Sequence, residues 1–341
     1  MSPLKSLAAL AISLVGLGSL PARAADQIAV GEPPWTSAVV IGHVLGHVIH
    51  DRLGYDVSYV TGNPASLLAA ISKGEGAVDI EPEIWLPNAS GLWAKYIGAD
   101  SNKTVLVNTH PYVGEQGLYI PGYIQDEHNI RSVTDLTRPE VAALFAPPGG
   151  GKPQIFVGAP GWGSTPVEQV KAKSYGYDKQ FEEIFTDTPV TYAAVKAAFA
   201  AHGGIVFSAG KPEAIHVIYD LRRLQEPPFD GYAMDSRKED AAYNPKGCWN
   251  MVTPVEDPDW LNKSKITCAW PDAKIYTAYA KTLAERAPRV AKLVSQFTID
   301  PDTVTKWLLK VDIDKADPDA VAQEWLATKP AIVEQWLAGV Q

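Results

Sequence analysis

Short apolar runs, spaced in turn for strands and for helices, cover most of the chain. Gln27 to Val30 reads as a strand ending at Gly31, followed by the loop Glu32-Pro33-Pro34-Trp35-Thr36-Ser37. Thr36 or Ser37 is placed to cap a helix from Ala38 to Leu53, which Gly54 would stop. Val57 to Val60 alternates as a strand, Pro64 to Ser72 is helical, Ala77 to Ile80 is a strand and Ser90 to Tyr96 a helix. This βαβα order predicts an α/β fold, a mostly parallel sheet flanked by helices.

The same order returns further on. Gly117 to Ile120 is a strand, a helix opens at Val133 to Asp135 and continues past Pro139, and Gln154 to Gly158 is a strand. Pro166 to Ser174 and Tyr192 to Ala201 are helices, Gly204 to Ser208 is a strand, and Pro147 to Pro153 is a surface loop. The final third reads as mostly helical. Asp300-Pro301-Asp302 and Asp317-Pro318-Asp319 are helix starts, in which the first Asp caps, Pro takes the first helical position and the second Asp complements the dipole. Trp307, Trp325 and Trp336 fall in these terminal helices and are expected to pack them onto a core.

At roughly 150 residues per domain, 341 residues make two domains, each large enough for its own core. A net charge of −9 with no block of Lys or Arg argues against a nucleic-acid partner, because phosphate contacts need a basic face. Met1 to Ala24 has the layout of a cleaved secretory signal: Lys5, an apolar run from Leu7 to Leu20, the helix breaker Pro21, and the small-x-small triplet Ala22-Arg23-Ala24. The run is shorter than the roughly 20 residues a membrane span requires. An exported, soluble, periplasmic chain is therefore expected, with a charge of about −11 once Lys5 and Arg23 are lost. Cys248 and Cys268, with nineteen residues between them, are then expected to form a disulfide worth about 3 kcal/mol. No His or third Cys lies near them to make a metal site.

Ten Trp is a high count, and three of them do not fit a core-packing account. Trp35 lies in a loop after a strand, Trp85 in Asp79-Ile80-Glu81-Pro82-Glu83-Ile84-Trp85-Leu86-Pro87-Asn88, and Trp162 in Gly158-Ala159-Pro160-Gly161-Trp162-Gly163-Ser164-Thr165-Pro166. Each follows a strand, and open α/β sheets bind ligands beyond the carboxyl ends of their strands. Converging indoles favour a cation by about 2 kcal/mol per good contact, and a methylated ammonium above all, since it has no N–H groups for ordinary polar recognition. Around Trp162, Gly161 and Gly163 allow close backbone approach, and the helix start at Ser164-Thr165-Pro166 offers N–H groups to an anion. An anion site beside an aromatic cation site describes a zwitterion.

The phrases Glu83-Ile84-Trp85-Leu86-Pro87-Asn88, Gln116-Gly117-Leu118 and Pro160-Gly161-Trp162-Gly163 resemble the substrate-binding proteins of ABC importers for glycine betaine, proline betaine and choline. The resemblance extends loosely over the whole chain after Ala24, and the Trp35-Thr36 loop looks like that of choline binders. It implies a two-lobed periplasmic binding protein of type II-like architecture. The first lobe would hold residues 25–115 and 271–341 and the second 116–270, with two hinge strands between them. It also implies that Trp85 and Trp162 wall a cage, that Gly163 and Ser164 hold a carboxylate by their N–H groups, and that Gln116 sits at the first crossover. The partners implied are a small-molecule ligand and an ABC transporter permease. A monomer is expected, with no cofactor, no metal and no catalytic residue.

The sequence departs from that family in two places. Phe207-Ser208-Ala209-Gly210-Lys211-Pro212 carries Gly210 where many members have another cage Trp, and Ser37 stands where choline binders have an acidic residue. Losing that wall leaves room for a larger or non-quaternary ligand, or for another ring such as Trp249 or Trp270, while Lys211 would discourage a bare cation. A periplasmic sensor partner of the same fold is an alternative role. A metal-dependent hydrolase is another, read from two clusters. His43, His47 and His50 share a helix face but span roughly 10 Å, too far for one ion. Asp79, Glu81 and Glu83 alternate at a strand end, where they could serve as acids and bases or give the cleft negative potential.

Overall fold

The computed structural model describes residues 27–98, 101, 103–238 and 240–340. The expected signal, Met1 to Ala24, lies outside the described residues. The chain opens with β1 (Ile28–Glu32), α1 (Thr36–Leu53), β2 (Val57–Thr61), α2 (Pro64–Lys73), β3 (Ile80–Leu86), α3 (Ser90–Tyr96) and β4 (Val105–Val107). A long strand, β5 (Tyr112–Pro121), leads to α4 (Gly122–His128), α5 (Pro139–Ala142), β6 (Gln154–Phe156), α6 (Ser164–Tyr175), β7 (Glu182–Ile184) and α7 (Thr188–Ala200). Then come β8 (Phe207–Lys211), α8 (Ile215–Ile218), β9 (Leu221–Arg223), β10 (Trp249–Asn250), α9 (Trp260–Lys263) and β11 (Lys265–Ile266). The return strand β12 (Ala273–Ala280) precedes α10 (Leu283–Arg286), α11 (Pro288–Gln296), α12 (Pro301–Leu308), a π-type turn (Leu309–Ile313), α13 (Pro318–Thr328) and α14 (Pro330–Trp336).

Strand order runs β2-β1-β3-β12-β5-β8-β6-β7. The pairs β1–β2 and β1–β3 are parallel, as are β6–β7 and β6–β8, while β12 and β5 run antiparallel to their neighbours. Two α/β lobes result. One core is drawn almost entirely from residues 28–112 and 275–336, and separate cores draw on residues 118–270. β5 connects them. Its first residues pair with β12 (Tyr112 with Ile275, Gly114 with Ala273), and from Glu115 onward it pairs with β8.

Several elements differ from their sequence expectation, each for a physical reason. β3 runs on to Leu86 instead of ending at Ile80, so Trp85 lies inside the strand. Pro82 cannot donate to the ladder, and the register with β12 shifts between Tyr276 and Ala278, where the Thr277 hydroxyl donates to the Pro82 carbonyl at 2.9 Å. The helix expected through Pro139 breaks there, because a residue before proline avoids helical angles: Arg138 is extended (φ −77°, ψ 123°). β12 interrupts the supposedly helical final third. It is buried at six of its eight positions, so the polar–apolar alternation of a half-exposed strand is missing from it.

Both Asp-Pro-Asp starts behave as expected: Asp300 accepts from the Thr303 N–H at 2.8 Å and Asp317 from that of Ala320 at 3.1 Å. Trp307 and Trp336 are buried in the first core, and Trp325 stands edge-on to Trp307 at 5.0 Å. Among the described residues no helix is long and apolar enough to cross a membrane.

Cys248 and Cys268 are bonded at the base of the β10–β11 hairpin, their Cα atoms 5.8 Å apart. Replacing both by Ser is expected to lower the unfolding free energy by about 3 kcal/mol. Denaturant melts read this directly, and equal midpoints for the two proteins would show that the bond adds nothing.

Candidate functional site

The site is built on β3. Period-two alternation sets Glu83 and Trp85 on one side of the strand, and Glu83 is fully buried there. A buried carboxylate needs donors, and Glu83 has four. Its Oε2 accepts from the indole N–H of Trp35 at 2.5 Å, from the Ser37 hydroxyl at 3.0 Å and from the indole N–H of Trp85 at 3.2 Å. Its Oε1 accepts from the Tyr112 hydroxyl at the start of β5. Burial pushes the Glu83 pKa above the ordinary carboxylate range, and all four donors pull it back down.

Trp35 is the residue before α1, with extended angles. Neither hydroxyl expected to cap that helix does so: Thr36 donates to Asp312 at 2.7 Å and Ser37 to Glu83. The helix begins uncapped, and its first residues serve the site.

Trp162 comes from the other lobe, with its ring centroid 6.4 Å from that of Trp35 and the planes at 79°. Trp35, Trp85 and Trp162 are all half-buried and line one cleft of about 1100 Å³ between the lobes. Gly163 and Ser164, at the start of α6, line it too, as do Gln116, Ser208 and Gly210. N–H groups in the first turn of a helix have no acceptor within the helix. Gln116 exchanges paired amide hydrogen bonds with Asn88, 2.7 Å each way. A Cβ on Gly163 would stand 2.2 Å from the Asn88 carbonyl oxygen, so the lobes meet at a point only glycine fits.

Gly210 has a use the sequence does not reveal. Cβ atoms built on Gly114 and Gly210 would lie 2.8 and 3.3 Å from the six-membered ring of Trp85. These glycines, one on β5 and one on its neighbour β8, form the seat for that ring.

Two further residues of the cleft have no sequence signal of their own. Glu213 accepts from the Tyr192 hydroxyl at 2.7 Å and the Gly210 N–H at 3.0 Å, and burial pushes its pKa up to about 7. Asp312, in the π-type turn, faces the same cleft, and burial raises its pKa as well. π-type turns recur at functional sites, but the residue pattern does not announce one.

Other candidates go elsewhere. Trp249 and Trp270, considered as replacement cage rings, are buried in a core of the second lobe 5.0 Å apart, away from the cleft lining. Lys211 is exposed beside Glu115 at 3.8 Å and does not line the cleft either. Asp79 is a clamp, accepting from the Ala29 N–H at 2.9 Å and from Arg286. Glu81 is buried with neither oxygen hydrogen-bonded, and burial followed by the charge of Glu83 raises its pKa well above normal. His43 and His47 both reach Asp319 of α13, at 2.9 and 2.7 Å, while His50 turns to Asp51. Among the described residues no group of three or more His, Cys, Asp or Glu side chains is arranged to hold a metal ion.

The fold matches solved binding proteins. Lactococcal OpuAC in its closed, liganded conformation with glycine betaine superposes with a TM-score of 0.67 at 19% identity, covering 92% of this chain and 99% of that one. A glycine betaine/L-proline-binding protein, ProX, from Borrelia burgdorferi gives 0.67 at 16% identity, with 91% and 96% covered. An ABC-transporter choline-binding protein in complex with choline gives 0.68 at 16%, with 93% of each chain covered. Residues 26–328 match the family model described as the substrate-binding domain of the ABC-type glycine betaine transport system, and the chain belongs to that family of substrate-binding proteins for ABC importers.

Proposed function

We propose that the chain captures a small methylated ammonium compound, a quaternary cation or zwitterion of betaine or choline type, and delivers it to the permease of an ABC importer. The observation that carries this reading is the meeting of two indoles on one buried carboxylate, with a third indole across the cleft from the other lobe. Glu83 aims the rings of Trp35 and Trp85 and adds negative potential behind them, so a cation between those rings and Trp162 is attracted by both. Where the ligand carries a carboxylate, the N–H groups of Gly163 and Ser164 are placed to take it. The protein binds and releases without a chemical step. It acts as a periplasmic monomer after loss of Met1 to Ala24.

Residues 25–115 and 271–341 make one lobe in this reading and 116–270 the other; the change of partner along β5 between Gly114 and Glu115 supports that division. Closure brings Gly163 onto Asn88 and excludes water from the aromatic contacts, where a cation gains most.

Titrations followed by tryptophan fluorescence or calorimetry, with betaine, choline, carnitine, trimethylamine oxide and uncharged isosteres, test the reading. Trp85→Ala and Trp162→Ala are each expected to weaken binding of the best methylammonium roughly 30-fold, the equivalent of about 2 kcal/mol. Wild-type affinity in either variant would contradict the cage. Gly163→Ala is a separate trial of closure. Its backbone (φ −64°, ψ −22°) suits any residue, so only the overlap with Asn88 acts. Affinity is expected to fall roughly tenfold at an unchanged unfolding midpoint, and an alanine protein that binds normally would show that the lobes need not meet there.

A further inference from the structure

We propose that Glu213, with Asp312 beside it, is the specificity-determining residue of the cleft and binds a protonated amine at the far end of the ligand, so that the preferred guest is a methylammonium compound carrying a second, hydrogen-bond-donating cation instead of a carboxylate. This rests on the aromatic cage proposed above and goes on to say what the other end of the guest must be.

The first support is space. A cleft of about 1100 Å³ lies just above the usual range for drug-sized ligands, so a compact betaine held at the cage leaves much of it unfilled. Gly210 keeps the way from Trp85 to Glu213 free of side chain, since a Cβ there would stand 3.3 Å from the Trp85 ring and 3.4 Å from a Glu213 oxygen.

The second is orientation. The Tyr192 hydroxyl holds one Glu213 oxygen and the Gly210 N–H the other, which fixes the carboxyl group in the cleft wall while each oxygen keeps a further lone pair. Among the described residues neither Glu213 nor Asp312 forms an ion pair with a Lys or Arg side chain; Lys315 donates to the backbone carbonyl of Asp312 and not to its carboxylate.

The third is the balance of charge. Among the described residues, the charged side chains lining the cleft are the carboxylates Glu83, Glu213, Glu256 and Asp312 and the single cation Lys95. A zwitterion changes that balance by nothing, whereas a dication offsets two of the negative charges. The carboxylate end of a betaine would also enter a field set by four carboxylates against one lysine.

The groups facing Glu213 are Tyr192, the Gly210 N–H, Asp312 and Glu83, with His216 behind on the Gly210 carbonyl at 2.8 Å. Burial holds the His216 pKa down at about 4, so it stays uncharged near neutrality. Glu213 itself, pushed up to about 7, must lose its proton to hold a cation. Amine affinity should therefore fall as pH drops below about 7, by up to tenfold per unit.

The experiment is calorimetric titration of the full protein with a matched pair, (3-aminopropyl)trimethylammonium and 4-(trimethylammonio)butanoate, beside glycine betaine. The amine is expected to bind at least roughly tenfold more tightly than the matched carboxylate, with the preference shrinking below roughly threefold in Glu213→Gln. Asp312→Asn, should the Glu213 variant fold poorly, is expected to narrow it in the same direction. Equal or tighter binding of the carboxylate, equal loss for both ligands in Glu213→Gln, or an amine affinity independent of pH between 6 and 8 would each overturn the assignment of Glu213 while leaving the cage standing. Failure of all three compounds to bind would remove the cage and this inference together.

Discussion

A carboxylate cannot stay charged inside a protein without donors, and Glu83 gathers its donors from three separate stretches of chain. Two of them are indole N–H groups, so satisfying the charge also fixes the Trp35 and Trp85 rings in place. A third is the Tyr112 hydroxyl, at the point where the chain leaves the first lobe. One buried group thus ties the floor of the cleft, two of its walls and the root of the hinge into a single network. Removing any donor would leave part of the carboxylate unsatisfied in a medium where that is costly, so the network holds together as a unit.

In the proposed function, the hinge is what turns placement of the rings into capture. β5 and β12 cross between the lobes as an antiparallel pair, joined from Tyr112–Ile275 to Gly114–Ala273. The Asn88–Gln116 amide pair and the contact of Gly163 with Asn88 sit close beside that crossing, where the second lobe comes down on the first. The third indole, Trp162, belongs to the second lobe. On the proposed reading, a cage divided between lobes is complete only when they close, and closure also removes the water that would weaken a cation–indole contact.

How much of this the sequence discloses depends on whether a residue's role is local. Trp85 lies inside the last part of β3, which runs further than its pattern suggests, while Trp35 and Trp162 are legible because each follows the end of a strand, a relation that neighbouring residues announce. The Asp-Pro-Asp helix starts were legible for the same reason. β12 was not, because a strand buried along most of its length loses the alternation that marks strands, and Tyr112 went unnoticed as a donor because the start of β5 was missed with it. Glu213 and Asp312 are the harder case. Asp312 meets Thr36 across 276 positions of sequence, and nothing near either residue foretells that contact. Trp249 and Trp270 erred the other way: they looked available as cage rings, but the fold uses them inside the second lobe.

That buried pair shows what an indole cage requires. Lys171 is only 2% exposed, and its ammonium lies 5.9 Å from the Trp249 ring and 5.5 Å from that of Trp270. It is neutralised by Glu226 at 2.7 Å, while Glu168 accepts from the Trp270 indole N–H at 2.7 Å. Indoles, a carboxylate on an indole N–H, and a cation against the rings therefore already coexist in the second lobe, and all three are supplied by the chain. Glu83 with Trp35 and Trp85 repeats the first two of these between the lobes, and Lys95, the one Lys lining that cleft among the described residues, lies over the ring of Tyr96 at 4.9 Å. On the proposed reading, the chemistry that makes Lys171 a fixed part of the core is what the cleft offers to a cation that arrives from outside and can leave again.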